Sequence, residues 1–256
     1  WLEEVLAMPS GQAPTAARAK ALTGAGGIAW WTDLEAASAL YEEALAIERR
    51  LGDPARLAEA LYNQAFAVAA EDDLQGAARL LDESLELFRQ VGDERGVAKV
   101  MVTLVVQDAA AGAWDRVVTR IEEVIAIWRR LGDRLILAYT LVWLAFAYGR
   151  AGRRDDARPA ALEALDLFHR AGDATGVALA LLDLAFLLTW EGRHRDAIRM
   201  AAASQSYRDR AGGGPTPGGF GGMLEGDPVA EASTHLTDEE ARRAWEEGRT
   251  LTVDQA

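Results

Sequence analysis

The chain repeats itself every 40 residues, and this constrains its fold more than any other feature. Leu51-Gly52-Asp53 returns as Val91-Gly92-Asp93, Leu131-Gly132-Asp133 and Ala171-Gly172-Asp173. A decayed copy, Ala211-Gly212-Gly213, follows at the same interval. Self-similarity at this period is the mark of a stacked array rather than a single globular core. Each Gly-Asp pair has a mechanical reading. Glycine takes the left-handed conformation just past a helix C-terminus. Aspartate then accepts the free N–H groups that open the next helix. Pro54, directly after Asp53, sits where a first helical turn tolerates proline.

Every unit has a second break near its middle, at Asp72-Asp73, Gly112, Gly152 and Gly192. Each unit is therefore expected to hold two helices of roughly 17 residues, about 25 Å long at 1.5 Å per residue. The columns keep their character between units. Ala65, Val105, Ala145 and Ala185 align, as do Phe66, Val106, Phe146 and Phe186. In the second helix Ala77, Val117, Ala157 and Ala197 align, followed by Leu85, Ile125 and Leu165. Small residues at fixed points let helices approach closely, and large ones fill the layers between repeats.

The block Leu144-Ala145-x-x-Tyr148-x-x-x-Gly152-x-x-x-x-Ala157 resembles the tetratricopeptide (TPR) consensus, and Leu184 through Ala197 follows it nearly as well. The period of 40 exceeds the family's 34, and Gly-Asp replaces the proline near the repeat end. The resemblance implies an all-α, TPR-like α-solenoid of helix-turn-helix repeats wound as a right-handed superhelix. Five repeats are expected over 14–213, as 14–53, 54–93, 94–133, 134–173 and 174–213. Residues 1–13 are read as the tail of a preceding repeat, because Glu3-Glu4-Val5-Leu6 resembles Glu42-Glu43-Ala44-Leu45. Gly24, Gly26 and Gly27 in the first unit predict close backbone contact or local irregularity, since glycine costs a helix roughly 1 kcal/mol each.

Residues 214–236 are expected to be a Gly/Pro-rich loop. No lysine or Ser/Thr stands there at Walker spacing, which argues against a phosphate cradle. Residues 237–256 are read as a C-terminal helix opened by the capping box at Thr237, then the start of a truncated helix at Thr252-Val253-Asp254-Gln255. The uncapped start at Trp1 and this late capping box suggest a segment of a longer polypeptide. Ala244-Trp245-Glu246-Glu247-Gly248-Arg249-Thr250-Leu251-Thr252 resembles the ends of TPR regions in large bacterial multidomain regulators. These combine an NTPase domain with a LuxR-type helix-turn-helix or a cyclase. The resemblance implies neighbouring domains in a parent chain.

Composition mostly excludes. There is no cysteine, so disulfides, thiol nucleophiles and Cys-ligated metals are out. The net charge of −13 argues against direct nucleic-acid binding, which needs a basic face. No apolar run reaches membrane-spanning length and no signal peptide is evident, so a cytoplasmic chain without membrane attachment is expected. The 25 arginines to two lysines read as genomic coding bias. No Gly-x-Ser-x-Gly or His-Glu-x-x-His motif is present. His169 and His194 suit helix ends, and the recurring acidic pairs suit a solvated face. The expectation is a non-enzyme with no cofactor, no metal and no catalytic residue.

In TPR arrays the first helix of each pair lines the concave surface. The resemblance maps that groove onto Glu59, Lys99, Tyr139 and Leu179, then Tyr62, Asn63, Val102, Thr103, Val142, Trp143, Leu182 and Asp183. Further on come Phe66, Val106, Phe146 and Phe186, with Arg150, Trp190 and Trp30 beyond. Aromatics with a few polar groups suit a protein, a peptide or a small-molecule effector. Lys99, Asn63 and Arg150 are expected to offer a carboxylate or carbonyl its partners. The leading expectation is a non-catalytic sensor or interaction module of a bacterial transcriptional regulator or signalling ATPase. The alternative is a constitutive scaffold, including a homo-oligomer.

Overall fold

In a computed structural model of the chain, residues 12–212 and 226–255 are described. Among them the chain forms twelve helices and no strand. The helices are α1 (Ala16–Ala29), α2 (Leu34–Leu51), α3 (Pro54–Ala70), α4 (Leu74–Val91), α5 (Glu94–Ala110) and α6 (Trp114–Leu131). They continue as α7 (Arg134–Arg150), α8 (Arg154–Ala171), α9 (Ala174–Trp190), α10 (His194–Arg210), α11 (Pro228–Ser233) and α12 (Asp238–Gly248). A 3-10 turn follows at Val253–Gln255. Of the expected tail of a preceding repeat at 1–13, residues 1–11 lie outside the described residues.

The turns obey the repeat. Gly52, Gly92, Gly132 and Gly172 all have φ between 69° and 72°. Each is followed by an aspartate that caps the next helix. Asp53 accepts from the Arg56 N–H, Asp93 from Gly96, Asp133 from Ile136 and Asp173 from Gly176. The mid-unit turns use Gly112, Gly152 and Gly192 in the same left-handed conformation. At the equivalent place in 54–93 stands Asp72, with φ of 65°.

Contacts divide the chain into two compact units, residues 1–104 and 105–256. In the first, α1 packs on α2, α2 on α3 and α3 on α4. Leu45, Ala60 and Leu61 form one apolar centre, with Leu57, Leu80 and Leu87 against it. The Tyr41 ring lies on Gly26, where a Cβ would meet Cε1 at 2.7 Å. The glycine-rich first helix is therefore unbroken, and close contact is what its glycine permits. Ser84 hydroxyl donates to the Ala58 carbonyl at 2.7 Å, tying the second helix of this repeat to its first.

In the second unit α7 packs on α8, α8 on α9 and α9 on α10. Ser204 repeats the Ser84 bond, donating to the Ala178 carbonyl at 2.7 Å. Phe168 is wholly buried, its ring occupying the space a Cβ on Gly176 would need. Truncating such an aromatic to alanine typically costs about 3–5 kcal/mol. Helix α9 is apolar on nearly every face, as a helix covered all round must be. It touches α7, α8, α10 and also α11.

One expectation is corrected. Of the expected loop at 214–236, residues 214–225 lie outside the described residues, and 228–233 is helical. Asp227 caps it through the Val229 and Ala230 N–H groups, Pro228 takes a first-turn position and Ala232 is buried. The capping box at Thr237 forms as expected, with Glu240 completing it. Helix α12 then docks on α10. Gly248 lies so close to the Arg199 backbone that no side chain would fit, and Glu247 pairs with Arg195 at 2.8 Å.

Candidate functional site

In the first unit the first-helix face is a strip of charge running into aromatics. Lys99 on α5 pairs with Glu59 on α3. Its ammonium also sits 4.1 Å from the centre of the Tyr62 ring and 5.6 Å from that of Phe88. Thr103 hydroxyl donates to the Tyr62 oxygen at 3.4 Å. Burial, helped by the Glu59 charge and opposed by the Thr103 bond, raises the Tyr62 pKa. Tyr62 meets Phe66 edge-on at 5.0 Å between ring centres, and Trp30 meets Phe66 at 6.1 Å.

Beside this strip lies a cleft of about 410 Å³. Ala16, Lys20 and Thr23 of α1, Glu48 of α2, and Arg56 and Glu59 of α3 line it. Its size falls within the range of small-ligand and peptide side-chain pockets. Glu48 is buried and held by Arg56 at 3.0 Å, which leaves the cleft a fixed ion pair on one wall.

Each residue expected to bind a carboxylate already has a partner of its own. Lys99 is committed to Glu59 and to the Tyr62 ring. Asn63 donates to the Glu59 carbonyl of its own helix at 2.9 Å. Arg150 belongs to the second unit, where its guanidinium lies 5.0 Å from the Trp114 ring centre.

In the second unit α7 and α9 carry an aromatic cluster. Phe146 and Phe186 are 6.1 Å apart, Phe186 and Trp190 6.0 Å, and Phe146 and Trp190 6.3 Å. Trp190 reaches this place because position 149 is glycine, and its ring fills the space any Cβ would take. Trp114, on a second helix, joins the cluster at 5.9 Å from Phe146. It lies outside the first helices to which the TPR resemblance confines the face. The residue opening each second helix was the available signal, as Leu34, Leu74 and Trp114 occupy one column.

Tyr139 serves the repeat junction. Its hydroxyl donates to Asp173 at 2.8 Å, and its ring stands edge-on to Phe168 at 4.7 Å. Burial, then the bond to Asp173 and its charge, push the Tyr139 pKa up to about 12. Trp143 is half-buried on the same helix. Asp183 is the unusual member. It is 2% exposed, and neither carboxylate oxygen has a hydrogen-bond partner among the described residues. Burial raises its pKa well above the usual carboxylate range.

The segment entering α11 rests on this face. A Cβ on Gly226 would be 3.6 Å from the Phe186 ring, and the Thr189 hydroxyl reaches the Pro228 carbonyl at 3.4 Å. His194 and His235 stack nearly parallel, 4.0 Å between ring centres. Among the described residues no group of three or more His, Asp or Glu is placed to hold a metal ion. No described helix is long and apolar enough to cross a membrane.

Neither a protein-family model nor a curated protein matches the sequence. Solved structures do. A Podosopora anserina putative kinesin light chain with nearly identical TPR-like repeats is 15% identical with a TM-score of 0.65, covering 77% of this chain and 98% of that one. A Pyrococcus horikoshii STAND protein with a tetratricopeptide repeat sensor is 15% identical with a TM-score of 0.69. That match covers 90% of this chain and 35% of the other. A Rap protein complexed with Competence and Sporulation Factor is 14% identical with a TM-score of 0.58, covering 96% and 75%. With its paired helices, Gly-Asp turns and these structural neighbours, the chain is a TPR-like helical-repeat protein in fold.

Proposed function

We propose that this chain is a non-catalytic binding module whose first-helix face takes a protein or peptide partner. The observation that carries this reading is the first unit's strip of Lys99, Tyr62, Phe66 and Trp30 beside the cleft at Lys20. It offers charge, hydrogen-bonding groups and aromatic area together, the mixture found at recognition hot spots. The neighbour with a TPR sensor and the Rap complex support a regulatory setting. In that setting the chain acts inside a bacterial cell, as part of a transcriptional regulator or signalling ATPase. Occupancy of the face then biases neighbouring domains through the differential affinity of the bound state.

The test is a peptide selected on the wild-type chain from a random displayed library. Its affinity is measured by fluorescence anisotropy for wild type and for the double variant Tyr62→Ala, Lys99→Ala. The expected loss is about 2 kcal/mol, or roughly thirtyfold. Unchanged affinity would sink the assignment of this face.

A further inference from the structure

We propose that Asp183, buried on α9 one turn before Phe186 of the aromatic cluster, is a receptor for a cationic group, the guanidinium or ammonium of a basic side chain on the partner. This rests on the reading of the first-helix face as the binding face. It adds which chemistry the second unit selects.

Three observations lead there. Asp183 is 2% exposed and has no hydrogen-bond partner among the described residues. A carboxyl in such a place costs several kcal/mol if charged, or about 1–3 kcal/mol as an unsatisfied neutral group. Packing alone gives no reason for it, since helix α9 is otherwise apolar around this position, with Ala180, Leu184 and Leu187 buried. Second, Asp183 lies in the repeat column that holds Asn63, Thr103 and Trp143 in the other units. The TPR resemblance maps that column onto the proposed binding face. Third, one turn farther along α9 stands Phe186, within 6.3 Å ring-to-ring spacing of Phe146 and Trp190. An acid and clustered aromatic rings on one helix stretch are the composition that recognises organic cations, because the ring faces and the acid attract the same charge.

Arg150, Arg154 and Arg158, on α7 and α8, are engaged elsewhere. Arg150 lies over Trp114, and Arg154 donates to the Trp190 carbonyl at 2.8 Å. Arg158 is held by Glu191. Asp183 is therefore left for a cation from outside. At 2% exposure its neighbours must part to admit one, so the site is read at equilibrium.

The experiment compares N-acetyl-L-argininamide with N-acetyl-L-citrullinamide, its neutral isostere, by thermal unfolding of the full chain. It is run at about 0.15 M salt, where exposed charges are screened beyond about 8 Å. The net charge of −13 makes some non-specific response to any cation certain, so wild type is set against Asp183→Asn. N-acetyl-L-argininamide is expected to raise the wild-type midpoint at roughly tenfold lower concentration than it does for Asp183→Asn. N-acetyl-L-citrullinamide is expected to act alike on both. Equal responses of the two proteins to N-acetyl-L-argininamide would overturn the site. Asp183→Leu gives a second check, since it removes the carboxyl without leaving a polar group, and it too should lose the preference for N-acetyl-L-argininamide. A Leu variant that keeps the preference would also overturn it. Because no peptide is used, failure here leaves the peptide-binding face untouched. Failure of the Tyr62 and Lys99 variant to weaken peptide binding leaves the cation preference equally untouched.

Discussion

At the residue scale, two aspartates depart from their columns and each makes a measurable claim. Asp72 has φ of 65° where the other repeats use glycine. An L-residue pays to sit in that region, and aspartate pays less than most. Asp72→Gly removes the strain but frees the unfolded chain, so a net stabilisation of about 0.5 kcal/mol is expected in urea unfolding. A destabilised variant would show that the aspartate side chain contributes more than its backbone costs. Asp183 sets a pH dependence. Its folded pKa lies well above 3.8, so the folded state binds a proton that the unfolded state releases. Stability from this group is full below pH 3.8 and is lost as pH rises toward the folded value. Measured against Asp183→Asn, the wild type is expected to lose ground steadily as pH climbs from 4 toward neutrality. Parallel curves would contradict the burial cost assigned to this carboxyl. Neither feature could be read from the sequence. Asp72-Asp73 marked a break, yet nothing in the letters says which aspartate takes the left-handed turn. Asp183 was placed on the binding face by its column, while its isolation depends on what α9 packs against.

At the element scale, helix pairs are joined by side chains that reach across repeats. Tyr139 of α7 donates to Asp173, the residue that also caps α9. With its pKa at about 12 against 10 when free, the folded chain keeps a proton that the unfolded chain gives up. Stability is therefore lost as pH rises from 10 toward 12. Tyr139→Phe is expected to cost about 1 kcal/mol at neutral pH and to flatten part of that alkaline slope. Tyr148, bonded to Glu122 at 2.6 Å and also raised to about 12, keeps part of the remainder, with Tyr41 and Tyr62, which burial also raises. An unchanged alkaline slope would contradict the burial of Tyr139 and its contact with Asp173 together. Helix ends and lengths were legible because Gly-Asp turns are local chemistry. Which face each aromatic served was only partly legible. Tyr139 reads as a binding residue by column, yet its hydroxyl is spent on a cap. Trp114 reads as a second-helix residue, yet it joins the Phe146 cluster. Pairings of this kind are tertiary, and the period constrains where a residue sits but not what it touches.

At the scale of the whole molecule, the chain is two units built by one rule, and the rule explains its composition. The 51 alanines are the small residues that stacked helices require. Ala58, Ala77, Ala157 and Ala185 are all fully buried. The acidic excess lies mainly on exposed helix faces and caps, where single ion pairs contribute about 0–1 kcal/mol each. Binding is then a property of the face that the rule leaves over. In the second unit much of that face is covered, since α9 also meets α11. In the first unit the strip from Lys99 to Trp30 adjoins the cleft. Hydrogen exchange with the library-selected peptide bound tests this most directly. New protection is expected in α1, α3 and α5, the first helices bearing that strip, with α2 and α4 unchanged. Protection confined to α2 and α4 would contradict it.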